Sequence, residues 1–220
     1  MLFYLVKKDF LIVRKHLPAI YALCFILPVF IMYQMADYAG VIDLVLCNIY
    51  GVIMILHFIS MKEYQYPKAS TLLCSTPYPR ELLVLSKYVV CLINFAICCI
   101  ICWVVALLFS GFLGLPMEIS LRAKTSVLVF FVLAILLGVY LPLQYKFGFE
   151  KTRLIVKIAL VVTPFLLTPL YTIEMGRVDP NFFMRLPAVP LYGTIVLLGL
   201  AILILSAAVS VQIYRKQDLA

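Results

Sequence analysis

Six stretches of the chain contain no Asp, Glu, Lys or Arg: Leu17–Met35, Leu44–Ser60, Tyr88–Met117, Thr125–Tyr145, Ile158–Ile173 and Leu186–Tyr214. Together they make up more than half of its 220 residues. Long charge-free runs are what hydrocarbon requires, because an uncompensated charge is costly there and only helices or closed barrels satisfy every backbone polar group. About 20 helical residues cross the bilayer core, with a range near 17 to 25, and four windows meet that length outright. The second and fifth reach it if Asp43, Lys157 or Glu174 sits at an interface, where its charged end extends to water. Pro164 and Pro169 interrupt the fifth, so a broken or re-entrant helix is the alternative there. The expected fold is all-α, with six transmembrane helices in one membrane domain over residues 17–214. A charged fraction of 13%, against roughly a quarter in a soluble domain, agrees.

Lys and Arg between the windows set the orientation, since cytoplasmic loops retain them. Fourteen fall on one side: Lys7, Lys8, Arg14 and Lys15; Lys62, Lys68, Arg80 and Lys87; Lys146, Lys151, Arg153 and Lys157; Arg215 and Lys216. The other side has only Arg122, Lys124, Arg177 and Arg185. The ten acids divide evenly, so the net charge of +8 is a topology signal and not a nucleic-acid footprint. Both termini are thereby placed in the cytoplasm, with residues 215–220 as a short tail. The first apolar stretch is longer than a typical signal-peptide core and no A-x-A site follows it, so it is expected to remain as an anchor.

Residues 1–16 interleave Leu2, Phe3, Leu5, Val6, Phe10 and Val13 with four basic residues. They read as an amphipathic helix on the inner leaflet or as a basic topogenic flank. The largest water-exposed insert is 61–87, too short for a domain. Pro67 and Pro77 frame a short helix over Lys68–Ser75 that carries Leu72 and Leu73, and Pro79 starts another with Glu81 in its first turn. Two leucines on such a surface helix need covering by headgroups, by the chain itself or by a soluble partner. The seven cysteines avoid the outer loops, so they form no extracellular disulfide framework and read as packing. A metal at Cys98, Cys99 and Cys102 would lack any His or carboxylate partner.

The chemistry of membrane enzymes is missing. Only His16 and His57 are present, no H-E-x-x-H helix or G-x-S-x-G elbow occurs, and no window holds a carboxylate. No catalytic residue, metal or cofactor is assigned. The same lack of an intramembrane ionisable group argues against an ion-coupled carrier, and no charged ring or carbonyl filter marks a channel. The polar residues within the windows include Asn48, His57, Asn94, Thr163 and Thr168, which are candidates for a cavity lining or for hydrogen bonds between helices. No glycine precedes a lysine, so the G-x-x-x-x-G-K-[ST] phosphate loop is absent. Transport against a gradient would draw its energy from a partner.

Two segments carry a family resemblance. Residues 72–88, LLCSTPYPRELLVLSKY, resemble the LL-x-S-L-P-V-S-R-x-E-I-V-x-S-K-Y stretch of small type-2 ATP-binding-cassette permeases. Residues 142–153, PLQYKFGFEKTR, resemble the P-L-x-F-K-F-G-x-E-K-x-R that follows the fourth span in that family. Thr76 and Tyr78-Pro79 depart from it, standing where Leu and Val-Ser are usual. The nearest likeness is to the permease subunits of phenol-soluble-modulin exporters. The resemblance implies a homodimer in a bacterial plasma membrane, joined by two ATPase subunits that hold the ATP and Mg. It makes Tyr66–Ser75 a coupling helix and Glu63 the acidic residue after the second span. ATPase docking would then involve Glu63, Tyr66, Leu72, Leu73, Arg80 and Glu81, with Lys146, Glu150 and Arg153 in the second cytoplasmic loop. The implied cargo is an amphipathic peptide or a lipid. A peptide-immunity or sensing protein of the same fold, or an unrelated membrane scaffold, are the alternatives.

The charge division gives a direct expectation for topology. In a variant stripped of native cysteines, Asp179→Cys should react with an impermeant thiol reagent added outside intact cells, and Lys151→Cys only after permeabilisation. Protection of Asp179→Cys until permeabilisation would reverse the orientation.

Overall fold

The computed structural model describes residues 2–34, 42–65, 80–113, 119–176 and 188–216, with only the backbone course given for 32, 34, 42, 80, 112, 113, 120, 121, 153, 155–176, 188–191 and 216. Within these residues the chain is helical throughout, apart from a turn at 14–16. Six helices follow one another: α1 Leu2–Val13, α2 Leu17–Gln34, α3 Ile42–Gln65, α4 Arg80–Leu113, α5 Ile119–Gly176 and α6 Ala188–Lys216. Several boundaries have a local cause. α3 carries Asp43 in its first turn and Lys62 in its last, each with the sign that favours its end of the helix dipole. α4 begins directly after Pro79 with Glu81 in its first turn, where the sequence places a helix start.

Four segments are long and apolar enough to cross a bilayer: Asp43–Gln65, Glu81–Gly111, Arg122–Thr152 and Tyr192–Arg215. A fifth is a bent pair, Leu2–Val13 with Leu17–Ile31, whose axes differ by 78°. The described residues thus give four or five spans where the sequence reads as six. The window Ile158–Ile173 falls in the C-terminal part of α5, whose side chains lie outside the description. The bend follows Arg14-Lys15-His16, where His16 stacks on Phe58 with ring centroids 4.4 Å apart.

α3 is the hub of the bundle. The described share of its apolar window is 61% buried, against 28–39% in the other three spans. One face, with Leu44, Cys47, Ile55 and Ile59, packs with α1, α2 and α4, while Val52 and Leu56 belong to a second cluster with residues of α4 and α5, to which α6 adds Leu203. Gly51 permits the first contact: a Cβ there would lie 2.6 Å from Cys98 Sγ and 3.2 Å from Cys24 Sγ. In lipid, where apolar burial drives little association, such close backbone approach supplies the packing. Cys24, Cys47, Cys91, Cys98 and Cys102 are buried thiols, consistent with their reading as packing. α5 and α6 approach closely as well, at Gly138 and Gly199, and Ser206 Oγ donates to the Gly138 carbonyl at 2.9 Å.

The long α5 is broken at Gly148 (φ 79°, ψ 172°), a region that is open essentially to glycine alone. A Cβ there would meet no atom within 4 Å, so the demand is on the backbone and not on space. Gly148→Ala should therefore destabilise the bundle by about 1–3 kcal/mol. Gly111→Ala has open space and an ordinary helical backbone, and should be neutral. Thermal unfolding in detergent compares the two; equal behaviour would show that the break tolerates a side chain.

Candidate functional site

The polar contacts sort to two ends of the bundle. At one end, Arg122 on α5 donates to Asp43 on α3 at 3.0 Å, with side chains only 4% and 0% exposed. Arg122 also reaches the Cys102 carbonyl of α4 at 3.5 Å. The sequence expectation was a carboxylate reaching water at the interface. The structure instead buries Asp43 and supplies a guanidinium, because a buried carboxylate needs a partner when it cannot reach solvent.

The other end is the basic one, and its contacts lie where α3 ends and α4 begins. Glu63 precedes that segment and Lys87 follows it. Lys87 Nζ donates to Glu63 Oε2 at 2.5 Å, the lysine 9% and the glutamate 29% exposed. The ammonium also lies 5.3 Å from the centre of the Tyr145 ring. Beside them, Ser86 Oγ donates to Asp9 of α1 at 3.1 Å, and Lys8 lies 3.1 Å from the same carboxylate. Burial pushes the Asp9 carboxyl above the usual carboxylate range, with the Lys8 charge opposing. Glu81 pairs with Arg215 near the end of α6.

The stretch after Gly148 docks on the same end. Phe149 lies 5.6 Å from both the His57 and the Tyr64 rings of α3, and the Tyr64 hydroxyl donates to Glu150. Thr152 closes the new helical start by donating to the Gly148 carbonyl. The two segments that carry the family resemblance, 72–88 and 142–153, are far apart in sequence, and their described parts meet at this one charged end.

Of the residues singled out from the sequence, Glu63, Glu81 and Glu150 all lie in this collar, each engaged by a side chain of the chain itself. Lys146 is exposed nearby, its ammonium 5.4 Å from the Phe147 ring. Tyr66, Leu72 and Leu73 lie outside the described residues, as do the side chains of Arg80, Arg153, Thr163 and Thr168. Asn48 and Asn94 are fully buried where α3 meets α4. Asn48 donates to the Leu44 carbonyl at 2.8 Å and accepts from Cys99 at 3.3 Å. Asn94 has no hydrogen-bond partner among the described residues and sits against Gly51. His57 is half-buried against Phe149 and Phe58.

Sequence reasoning did not give a role to Asp9, Asp43, Tyr64 or Arg122. A signal for the Asp43–Arg122 pair was present, since Asp43 immediately precedes one charge-free window and Arg122 lies three residues before another. Charges of opposite sign at the edges of two spans that start on the same side can pair.

The ABC-2 family transporter proteins match residues 4–215, nearly the whole chain. The chain belongs to that family: it is a multi-pass membrane protein of the permease class, whose energy comes from an ATPase partner. No curated protein and no solved structure matches it.

The two ion pairs differ in burial, and this predicts unequal costs. Arg122→Met deprives a fully buried carboxylate of its guanidinium and should destabilise by about 3–5 kcal/mol. Lys87→Met leaves Glu63, which can rehydrate, and should cost clearly less. Adding Asp43→Leu to Arg122→Met should recover most of the loss. Unfolding in detergent measures all three, and equal costs for the two single variants would refute the burial argument.

Proposed function

We propose that this chain is the permease subunit of an ATP-driven exporter, working as a homodimer with two separate ATPase subunits docked at its basic end in the cytoplasm. Membership of the ABC-2 family carries the reading. The collar adds a mechanical reason for the docking position. Segment 66–79 joins α3 to α4 in the chain, and Glu63 near the end of α3 is ion-paired with Lys87 near the start of α4. A force on the segment is therefore delivered to the ends of α3 and α4, and through Phe149 and Glu150 to α5. α3 packs on α1, α2, α4 and α5, so its displacement shifts those four helices.

Leu72 and Leu73 form the apolar docking face in this reading. Burying two leucines is worth about 3–6 kcal/mol in transfer terms, before the ordering costs of association. α1, which exposes Phe3, Tyr4 and Leu11 while its Leu5, Val6 and Val13 pack inward, lies on the inner leaflet beside the ATPase. The cargo is an amphipathic or largely apolar molecule, and we favour a short helical peptide of the kind handled by phenol-soluble-modulin exporters. A lining without charge offers no replacement for the water around a strongly ionic solute, but it accepts an apolar face.

The permease reconstituted with its ATPase tests this. An amphipathic helical peptide should stimulate ATP hydrolysis, a scrambled peptide of equal composition should not, and Leu72→Asp should abolish both ATPase capture and stimulation. Equal stimulation by both peptides would remove the helical-peptide cargo. Full ATPase capture by Leu72→Asp would remove the docking face.

A further inference from the structure

Three helices bring their thiols to one point. Cys24 of α2, Cys47 of α3 and Cys98 of α4 are all fully buried. The Sγ atoms of Cys24 and Cys98 lie 3.8 Å apart. Cys24 and Cys47 exchange hydrogen bonds between α2 and α3: Cys24 Sγ donates to the Cys47 carbonyl at 3.7 Å, and Cys47 Sγ to the Cys24 carbonyl at 3.5 Å. The sulfurs of α2 and α4 meet over Gly51 of α3, in the place its side chain would take. A Cβ there would lie 2.6 Å from Cys98 Sγ and 3.2 Å from Cys24 Sγ.

Filling space accounts for a small apolar side chain at each of these positions, and alanine or valine would do that as well. It does not account for sulfur meeting sulfur from residues 74 positions apart in the chain. Two chemistries use paired thiols, a metal and a disulfide. Tetrahedral zinc needs a full set of ligands, and among the described residues no group of three or more His, Cys, Asp and Glu is placed to hold a metal ion. A disulfide needs only the pair, and it is uncharged, so the apolar interior imposes no desolvation cost on it. Its S–S bond is about 2.05 Å long, a closure within reach of rotations about the two Cα–Cβ bonds from a contact already made.

We propose that Cys24 and Cys98 are a redox-sensitive clamp, which a small uncharged peroxide converts to a disulfide that joins α2 to α4 across Gly51. One sulfur attacks a peroxide oxygen and the O–O bond breaks; the thiol proton leaves with the other oxygen as water, and a sulfenic acid remains. The second sulfur displaces that hydroxyl, which leaves as water with the second thiol proton. Two electrons and two protons thus pass from the thiols to the peroxide. Burial slows the first step, because the oxidant has to reach the pair during a local opening. It favours the second, because the partner sulfur is already in contact.

Reduced, α2 and α4 are held to each other and to α3 by packing alone at this point, and they can shift. Oxidised, they move as one body around α3. The clamp is independent of what the chain transports: its failure would leave the permease reading untouched, and failure of that reading would leave the clamp standing.

The test uses the full-length chain in phosphatidylcholine vesicles, treated with hydrogen peroxide, blocked with N-ethylmaleimide and digested for mass spectrometry. Peptides linked through Cys24 and Cys98 should dominate the cross-linked products and disappear on reduction. They should be absent from Cys98→Ala and Cys24→Ala and retained in Cys91→Ala, whose thiol is buried in the other cluster. Because the bond constrains the unfolded chain, the oxidised wild type should unfold at a higher temperature than the reduced protein, and Cys98→Ala should show no such shift. A set of linked pairs like that from the chain unfolded in dodecyl sulfate would mean random oxidation and would overturn the proposal. So would Cys24 and Cys98 remaining as thiols while the less buried Cys99 is oxidised, or a Cys24–Cys98 link without a rise in unfolding temperature.

Discussion

A charge brought into a low-dielectric bundle must bring its partner with it, and the two ends of α3 are organised around that requirement. Asp43 meets Arg122 at one end and Glu63 meets Lys87 at the other. Between them runs a helix whose face is occupied by aliphatic side chains, small residues and thiols. The pairs fix the register of α3 against α4 and α5 in a way that apolar contacts, which are nearly indifferent to sliding in lipid, cannot. The Asp43–Arg122 pair is fully buried. The Glu63–Lys87 pair is partly hydrated and lies between the end of α3 and the start of α4.

The break at Gly148 belongs to the same arrangement. By turning the backbone where a side chain is disfavoured, it lets Phe149 and Glu150 reach back onto His57 and Tyr64 of α3. The basic end thus becomes a collar of ionic, aromatic and hydrogen-bonded contacts joining α1, α3, α4, α5 and α6. For a permease moved by a partner ATPase this is a useful construction, since a push delivered to one part of the collar is shared by every helix that touches it.

The charge-free windows made a helical membrane protein legible in the sequence, because hydrocarbon leaves few ways to satisfy a backbone. The start of α4 after Pro79, the location of Gly148 at a punctuation point and the permease resemblance of 72–88 and 142–153 were legible for similarly local reasons. The number of spans was not. A charge-free window does not say whether two helices meet at a 78° bend, as α1 and α2 do, or whether α5 runs through a glycine break without ending.

The site divides in the same way. Residue type and position in the chain pointed to Glu63, Glu81 and Glu150 as a charged set on one side of the membrane, since a loop that faces water retains its charges. That Glu63 holds Lys87, that Asp9 is buried against Ser86 and that Asp43 is met by Arg122 depend on contacts between residues 24, 77 and 79 positions apart. Sequence by itself determined the medium this chain folds in, because that follows from the solvation of each residue taken singly. Only the tertiary structure decided which charges are neutralised, which amides remain open and which thiols meet, because each of those is a property of pairs brought together by packing.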